Sequence, residues 1–98
     1  MNSPATRAAL VRQTATDFDA AIQAKTFCIE VGAVGKEGFF VEAYGDVLAD
    51  FDLDDSGNWT SRRLRHNCSK SDFELLNEVF DEVLAEARRR KLNLLLED

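Results

Sequence analysis

Only one proline, one histidine, one tryptophan and one tyrosine occur among the 98 residues, with two cysteines and five glycines. Each scarcity excludes something. With Pro4 alone there is no proline-rich linker or low-complexity segment. The lone histidine, His66, leaves only itself and Cys68 as plausible zinc ligands, where a site needs about four. As a nucleophile–base pair the same two residues lie in one loop, two positions apart, with no third group to orient the imidazole. Cys28 and Cys68 form no C-x-x-C pair, and Cys28, inside the apolar run "TFCIEV", reads as a small buried hydrophobe. Gly32, Gly35 and Gly38 are spaced like turn glycines rather than a phosphate-binding loop. No apolar stretch approaches the roughly 20 residues of a membrane span, and no repeat of solenoid period is present. Catalytic and metal-binding constellations are thus absent from the expectation, which is a non-enzymatic protein without cofactor.

What is present is ordinary globular composition, 45% apolar and 31% charged, on a chain suited to a single domain over 1–98. The formal charge of −6 opposes direct contact with nucleic acid or acidic membranes. Free cysteines and the lack of an apolar leader point to a reducing, cytoplasmic setting. Arg7 and Arg12 in an acid-free opening stretch are faintly like a mitochondrial presequence, but the same stretch makes a good helix start.

Hydrophobic periodicity divides the chain into three zones. From Ser3 as N-cap and Pro4 at the first helical position, Val11, Thr14, Ala15, Phe18, Ala21 and Ile22 recur at three- and four-residue spacing, predicting a helix over about 4–24. Period two then takes over. "TFCIEVGAV", "FFVEAY" and "VLADFDLD", separated by "GKEG" and "GD", read as strands, and "NWTSRRLR" at 58–65 as a fourth. In the third of these, Val47, Ala49, Phe51 and Leu53 are expected to face inward, against Leu48, Asp50, Asp52 and Asp54. "SDFE" matches a capping box with Ser71 as N-cap. It opens a second helix whose apolar face is Phe73, Leu76, Val79, Phe80, Val83, Leu84 and Ala87. Acids cluster at its start and Arg88, Arg89, Arg90 and Lys91 at its end, matching the helix dipole, with Glu86 positioned to pair with Arg90. The fold class is therefore α+β: an N-terminal helix, an antiparallel meander of three or four strands and a C-terminal helix, with both helices on one face of the sheet.

The segment "DFDLDDSGNWTSRRLRHN" at 50–67 bears most on function. Asp52, Asp54, Ser56 and Gly57 fit the first half of a calcium loop, but its twelfth place, which needs a bidentate acid, holds Arg63. A hairpin accounts for acids and arginines together. An even-length loop places Asp50 opposite Arg63, Asp52 opposite Ser61 and Asp54 opposite Trp59, a charge ladder on the outer face with Arg62 turned inward. Tyr44 and Trp59 would join that face. Glu42, Asp46, Asp50, Asp52, Asp54 and Asp55 would form a row of carboxylates spaced along it, with Trp59 beside them.

These features predict a small acidic interaction protein that occupies the basic surface of a partner protein, as inhibitor, adaptor or chaperone-like module. In size and charge alone the chain is similar to the small acidic inhibitors that phages and mobile elements direct at host defence proteins. Type III secretion chaperones share that size and acidity, and no motif of either class is present. The alternative is a metal-responsive domain using the partial calcium-type loop at 52–63. The last residues, "KLNLLLED", are expected either to close the domain's own core or to join two copies through Leu92, Leu94, Leu95 and Leu96. Helix and edge strand are both compatible with their pattern.

Overall fold

The computed structural model describes the backbone of residues 4–64 and 68–97, and side chains over 6–64 and 68–89. Helix α1 (Pro4–Gln23) leads into strands β1 (Ile29–Val34), β2 (Gly38–Ala43), β3 (Asp46–Leu53) and β4 (Trp59–Arg63), and helix α2 (Lys70–Glu97) follows. The strands form one antiparallel sheet in the order β1-β2-β3-β4. Both helices pack on the same face, so the layers, strand direction and connections match the sequence expectation.

The period-3.6 stripe of α1 explains its seating. Val11, Thr14, Ala15, Phe18 and Ile22 are all buried, as are Leu76, Val79, Phe80 and Val83 of α2. Between them, alternate residues of the central strands point inward: Phe39 and Val41 from β2, and Ala49, Phe51 and Leu53 from β3. Phe51 is the hub. Its ring lies 4.3 Å from Phe80, 5.4 Å from Phe18 and 5.4 Å from Phe39. Aromatic pairs at such spacings contribute about 0.5–1.5 kcal/mol each beyond their area burial. Gly38 allows β2 to approach this centre closely, because a Cβ there would collide with the Phe51 carbonyl oxygen and the Asp52 carboxylate.

Three local expectations are corrected. The α2 N-cap is Ser69, not Ser71: its hydroxyl accepts the Asp72 N–H at 3.1 Å, so the cap motif is Ser69…Asp72 and the helix begins two residues earlier than the chosen box. In β3, Leu48 is buried instead of Val47. The β2–β3 register passes from Val41↔Ala49 to Glu42↔Val47, so Leu48 is the extra residue of a bulge. The bulge turns Leu48 and Ala49 into the core together and leaves Val47 beside Glu42. Cys28 precedes β1 and is exposed, with its Sγ 2.9 Å from the Tyr44 hydroxyl.

The chain's last apolar stretch is helical, since α2 continues to Glu97. Within α2, Glu86 pairs with Arg89. Ser3, His66 and Arg90 lie outside the described side chains, as do Leu92, Leu94, Leu95 and Leu96. No helix among the described residues is long and apolar enough to cross a membrane.

Candidate functional site

Among the described residues no helix covers the second face of the sheet. Strand alternation assigns to it Glu30 from β1, Phe40 and Glu42 from β2, Val47, Asp50 and Asp52 from β3, and Thr60 and Arg62 from β4. Two cross-strand rows, Glu30↔Glu42↔Val47 and Phe40↔Asp50↔Arg62, lie side by side on this face. Phe40 stands near its middle with 40% of its surface exposed. Among the described residues, Glu30, Glu42 and Asp52 make no ion pair, and by strand register all three neighbour Phe40, Glu42 two residues along β2 and Glu30 and Asp52 on the diagonals.

The β3–β4 connection sets which charges meet, and it differs from the even-length loop. Asp54 and Asn58 close the hairpin, with the Asp54 N–H donating to the Asn58 carbonyl at 2.8 Å, so the loop proper is the three residues Asp55, Ser56 and Gly57. The Asp54 carboxylate accepts the backbone N–H groups of Ser56 and Asn58, both at 2.9 Å. Gly57 supplies the left-handed conformation, φ 85°, that a three-residue hairpin loop requires at its end. An odd loop shifts the register by one residue, and every β4 side chain changes face.

Asp50 therefore faces Arg62 rather than Arg63, at 2.8 Å in an ion pair. Trp59 is not on the outer face. It lies opposite Leu53 on the inner side, with its ring 5.3 Å from Phe80 and 6.0 Å from Phe39. Tyr44 is likewise not on the face. It sits in the β2–β3 turn, where it and Gly45 both have positive φ, 53° and 84°. Such a two-residue turn favours Asn-Gly, so an exposed tyrosine there is held at some backbone cost.

The expected carboxylate row is thus divided. Glu42, Asp50 and Asp52 share the open face. Asp46 pairs with Ala43 at the turn end of β3, and Asp54 and Asp55 belong to the loop. Asp50 is 4% exposed, held between Phe40 and Arg62, and acts within the structure. Glu30 and Phe40 were missed as site residues, although period two in "FFVEA" places Phe40 with Glu42 whenever Phe39 and Val41 face the core. Arg7 was also missed: from α1 it donates to the Leu53 and Asp54 carbonyl oxygens at 3.0 and 2.9 Å, tying the end of β3 to the first helix.

Partial desolvation raises the Asp52 carboxyl above its ordinary range, helped by the charge of Asp50 and a hydrogen bond to it, and opposed by Arg62. Folded Asp52 thus keeps its proton to a higher pH than in the unfolded chain. Its ionisation opposes folding as pH rises through that interval. The variant Asp52→Asn is expected to melt at a higher temperature than the wild type at pH 7. That gain should fade as pH falls to about 4, where the unfolded carboxyl also protonates. Thermal melts of both proteins across this range measure it, and an equal difference at every pH would reject the assignment.

The loop at 54–58 lies between two strands, and Asp54 already serves its backbone. Among the described residues no group of three or more His, Cys, Asp or Glu side chains is arranged to hold a metal ion. Arg63, at the twelfth place of the calcium pattern, belongs to β4. Calcium up to about 100 µM, within the range served by sensor sites, is expected to leave Trp59 fluorescence and the melting temperature unchanged. A saturable stabilisation below that concentration would make the loop a calcium site.

No protein-family model, curated protein or solved structure matches the chain. The class it belongs to is defined by its architecture: a two-layer α+β domain with two helices on one face of a four-stranded meander and the other face open.

Proposed function

We propose that this is a non-enzymatic interaction protein whose open sheet face docks on a basic surface of a partner protein, as a small inhibitor, adaptor or chaperone-like module. The observation that carries this reading is the grouping of Glu30, Glu42 and Asp52 around the exposed Phe40 on a face that no helix covers. An aromatic anchor bordered by charge is the usual composition of an interface centre and rim. Three carboxylates without an ion-pair partner, of which only Asp52 feels the charge of Arg62, speed encounter with a positive surface and repel phosphate backbones. The partner is accordingly a protein rather than DNA, RNA or a membrane, and the reading fits a cytoplasmic setting. The calcium-responsive alternative gains no support from the hairpin geometry.

The test begins by isolating a complex from cells that express the protein natively, then measuring association with the purified partner. Reversal of the three free acids, by Glu30→Lys, Glu42→Lys and Asp52→Lys together, is expected to lower the association rate roughly tenfold or more at low salt. The wild-type rate should fall as salt rises, and the variant's should not. Equal rates for wild type and variant would move the docking site off this face. Direct binding of free DNA or RNA by the wild type would reject the reading as a whole.

A further inference from the structure

The two edges of the sheet are treated differently. At the β1 edge, the Val31 N–H points away from β2 and is taken up by the Asp19 carboxylate of α1 at 2.9 Å. That edge is guarded by its own helix. Among the described residues the β4 edge has no such guard. Its hydrogen-bonding phase follows from two bonds to β3: the Asp54 N–H to the Asn58 carbonyl and the Leu64 N–H to the Leu48 carbonyl, each 2.8 Å. Alternation between them makes Asp52–Thr60 and Asp50–Arg62 the bonded pairs. Trp59, Ser61 and Arg63 consequently direct their backbone N–H and C=O groups outward, and none of these groups takes a hydrogen bond among the described residues.

The flank beneath this edge is partly apolar. The Ser61 hydroxyl donates to the Asn77 side-chain oxygen at 3.1 Å, which fixes the side of α2 that faces β4. Phe73 and Leu84 fall on the same side by helical spacing, and both are only partly buried, as is Trp59. An unprotected strand edge next to apolar surface is a template for a further strand.

The geometry points to a second copy of this chain as that strand, with β4 pairing antiparallel to β4 of the other copy about a twofold axis at Ser61. Outward groups on odd-numbered residues require odd residues to oppose odd ones. Centring on Ser61 satisfies this over the whole of β4. Trp59 then lies opposite Arg63 of the other copy, a cation beside an aromatic ring, and Thr60 lies opposite Arg62 of the other copy. Moving the centre to Arg62 would set two Arg62 side chains directly opposite each other, which like charge disfavours. Centring on Thr60 keeps the parity but pairs only residues 59–61 within β4, so Ser61 is the centre that uses the whole strand, and the two sheets join into one of eight strands. This proposal stands apart from the docking of a basic partner on the open face, which remains uncovered in such a dimer.

Sedimentation equilibrium on the full chain, from micromolar concentration to about 1 mM, tests it, since a weaker association would not be specific on this scale. The wild type is expected to form dimers, with Trp59 emission changing over the same concentration range. In Ser61→Pro the lost N–H is the outward one, so the ladder to β3 stays whole while the edge is blocked. In Thr60→Arg an arginine opposes Arg62 of the other copy, while Asp52 beside it in the same chain accommodates the new charge. Both variants should dissociate at least tenfold more readily. Ser61→Ala, which drops only the bond to Asn77, and Thr60→Val should match the wild type within about threefold, the scatter expected of surface changes. A wild type that stays monomeric throughout overturns the proposal. So does a dimer unaffected by Thr60→Arg and Ser61→Pro, which would instead assign association to α2 and its terminal leucines.

Discussion

Replacing Phe51 by alanine is expected to remove about 3–5 kcal/mol of stability, the usual cost of emptying a large aromatic site in a core. A domain of this kind holds only about 5–15 kcal/mol in total, so the variant should sit near the edge of folding at room temperature. The magnitude follows from position. Phe51 is fully buried and contacts rings from both helices and from β2, so little around it can collapse into the vacated space. Phe40 is the matched control, one strand away on the opposite face and 40% exposed. Phe40→Ala should cost only about 1–2 kcal/mol, the share of a full burial that its covered surface represents. Urea unfolding of the two variants checks both values. If Phe40→Ala proved as damaging as Phe51→Ala, the open face would not be open, and the docking surface would lose its aromatic anchor.

The contrast between those two phenylalanines also shows what a sequence reveals and where it stops. Long periodic segments were legible because burial imposes them: the α1 stripe ending in Phe18 and Ile22, the α2 stripe through Leu76 and Phe80, and alternation through Phe39, Val41, Phe51 and Leu53. Local phase was not. Two capping side chains, Ser69 and Asp54, decided it, and neither has a periodic signature. Ser69 and Ser71 both stand three residues before an acid, and only the start of helix packing selects Ser69. Likewise "DDSG" fits hairpins of several lengths. The Asp54 carboxylate capping Ser56 and Asn58, with Gly57 left-handed, chose the three-residue form. A shift of one residue then moved Trp59 from the outer face to the inner side, against the core, and exchanged Arg62 for Arg63 as the partner of Asp50. The candidate site inherited that uncertainty. Glu42 and Asp52 were placed on the open face whichever loop formed, because β2 and β3 alternate independently of β4. Asp54 and Trp59 were not, because their roles depend on the turn. The Leu48 bulge left only a faint signal, the apolar run Val47-Leu48-Ala49 that interrupts strict alternation, and such a run fits an unbulged strand with one exposed leucine equally well.

Arg62→Ala is expected to be the costliest change on the outer face, at about 1–3 kcal/mol, and more costly than removing its partner. The two ends of this ion pair are unequal. The Asp50 side chain is 6% exposed and Arg62 is 71% exposed, so deleting the arginine strands a nearly buried carboxylate, while deleting the carboxylate returns a cation to water. A fully buried pair broken from one side typically loses about 3–5 kcal/mol, and the open side of Arg62 brings the expectation below that. Asp50→Val should cost under about 1 kcal/mol or stabilise, because a β-branched residue fits mid-strand and the buried charge is gone. It also removes a neighbour that raises the Asp52 carboxyl, which adds to the gain at neutral pH. Combining Arg62→Ala with Asp50→Val should resemble Asp50→Val alone, since the second change abolishes the reason the first is harmful. Urea titrations of the four proteins close this cycle. Should Asp50→Val be the more damaging single change, Asp50 would owe its place to more than Arg62. The β3–β4 register would then be held by a contact other than this pair, and the one-residue phase that packs Trp59 against the core would need another cause.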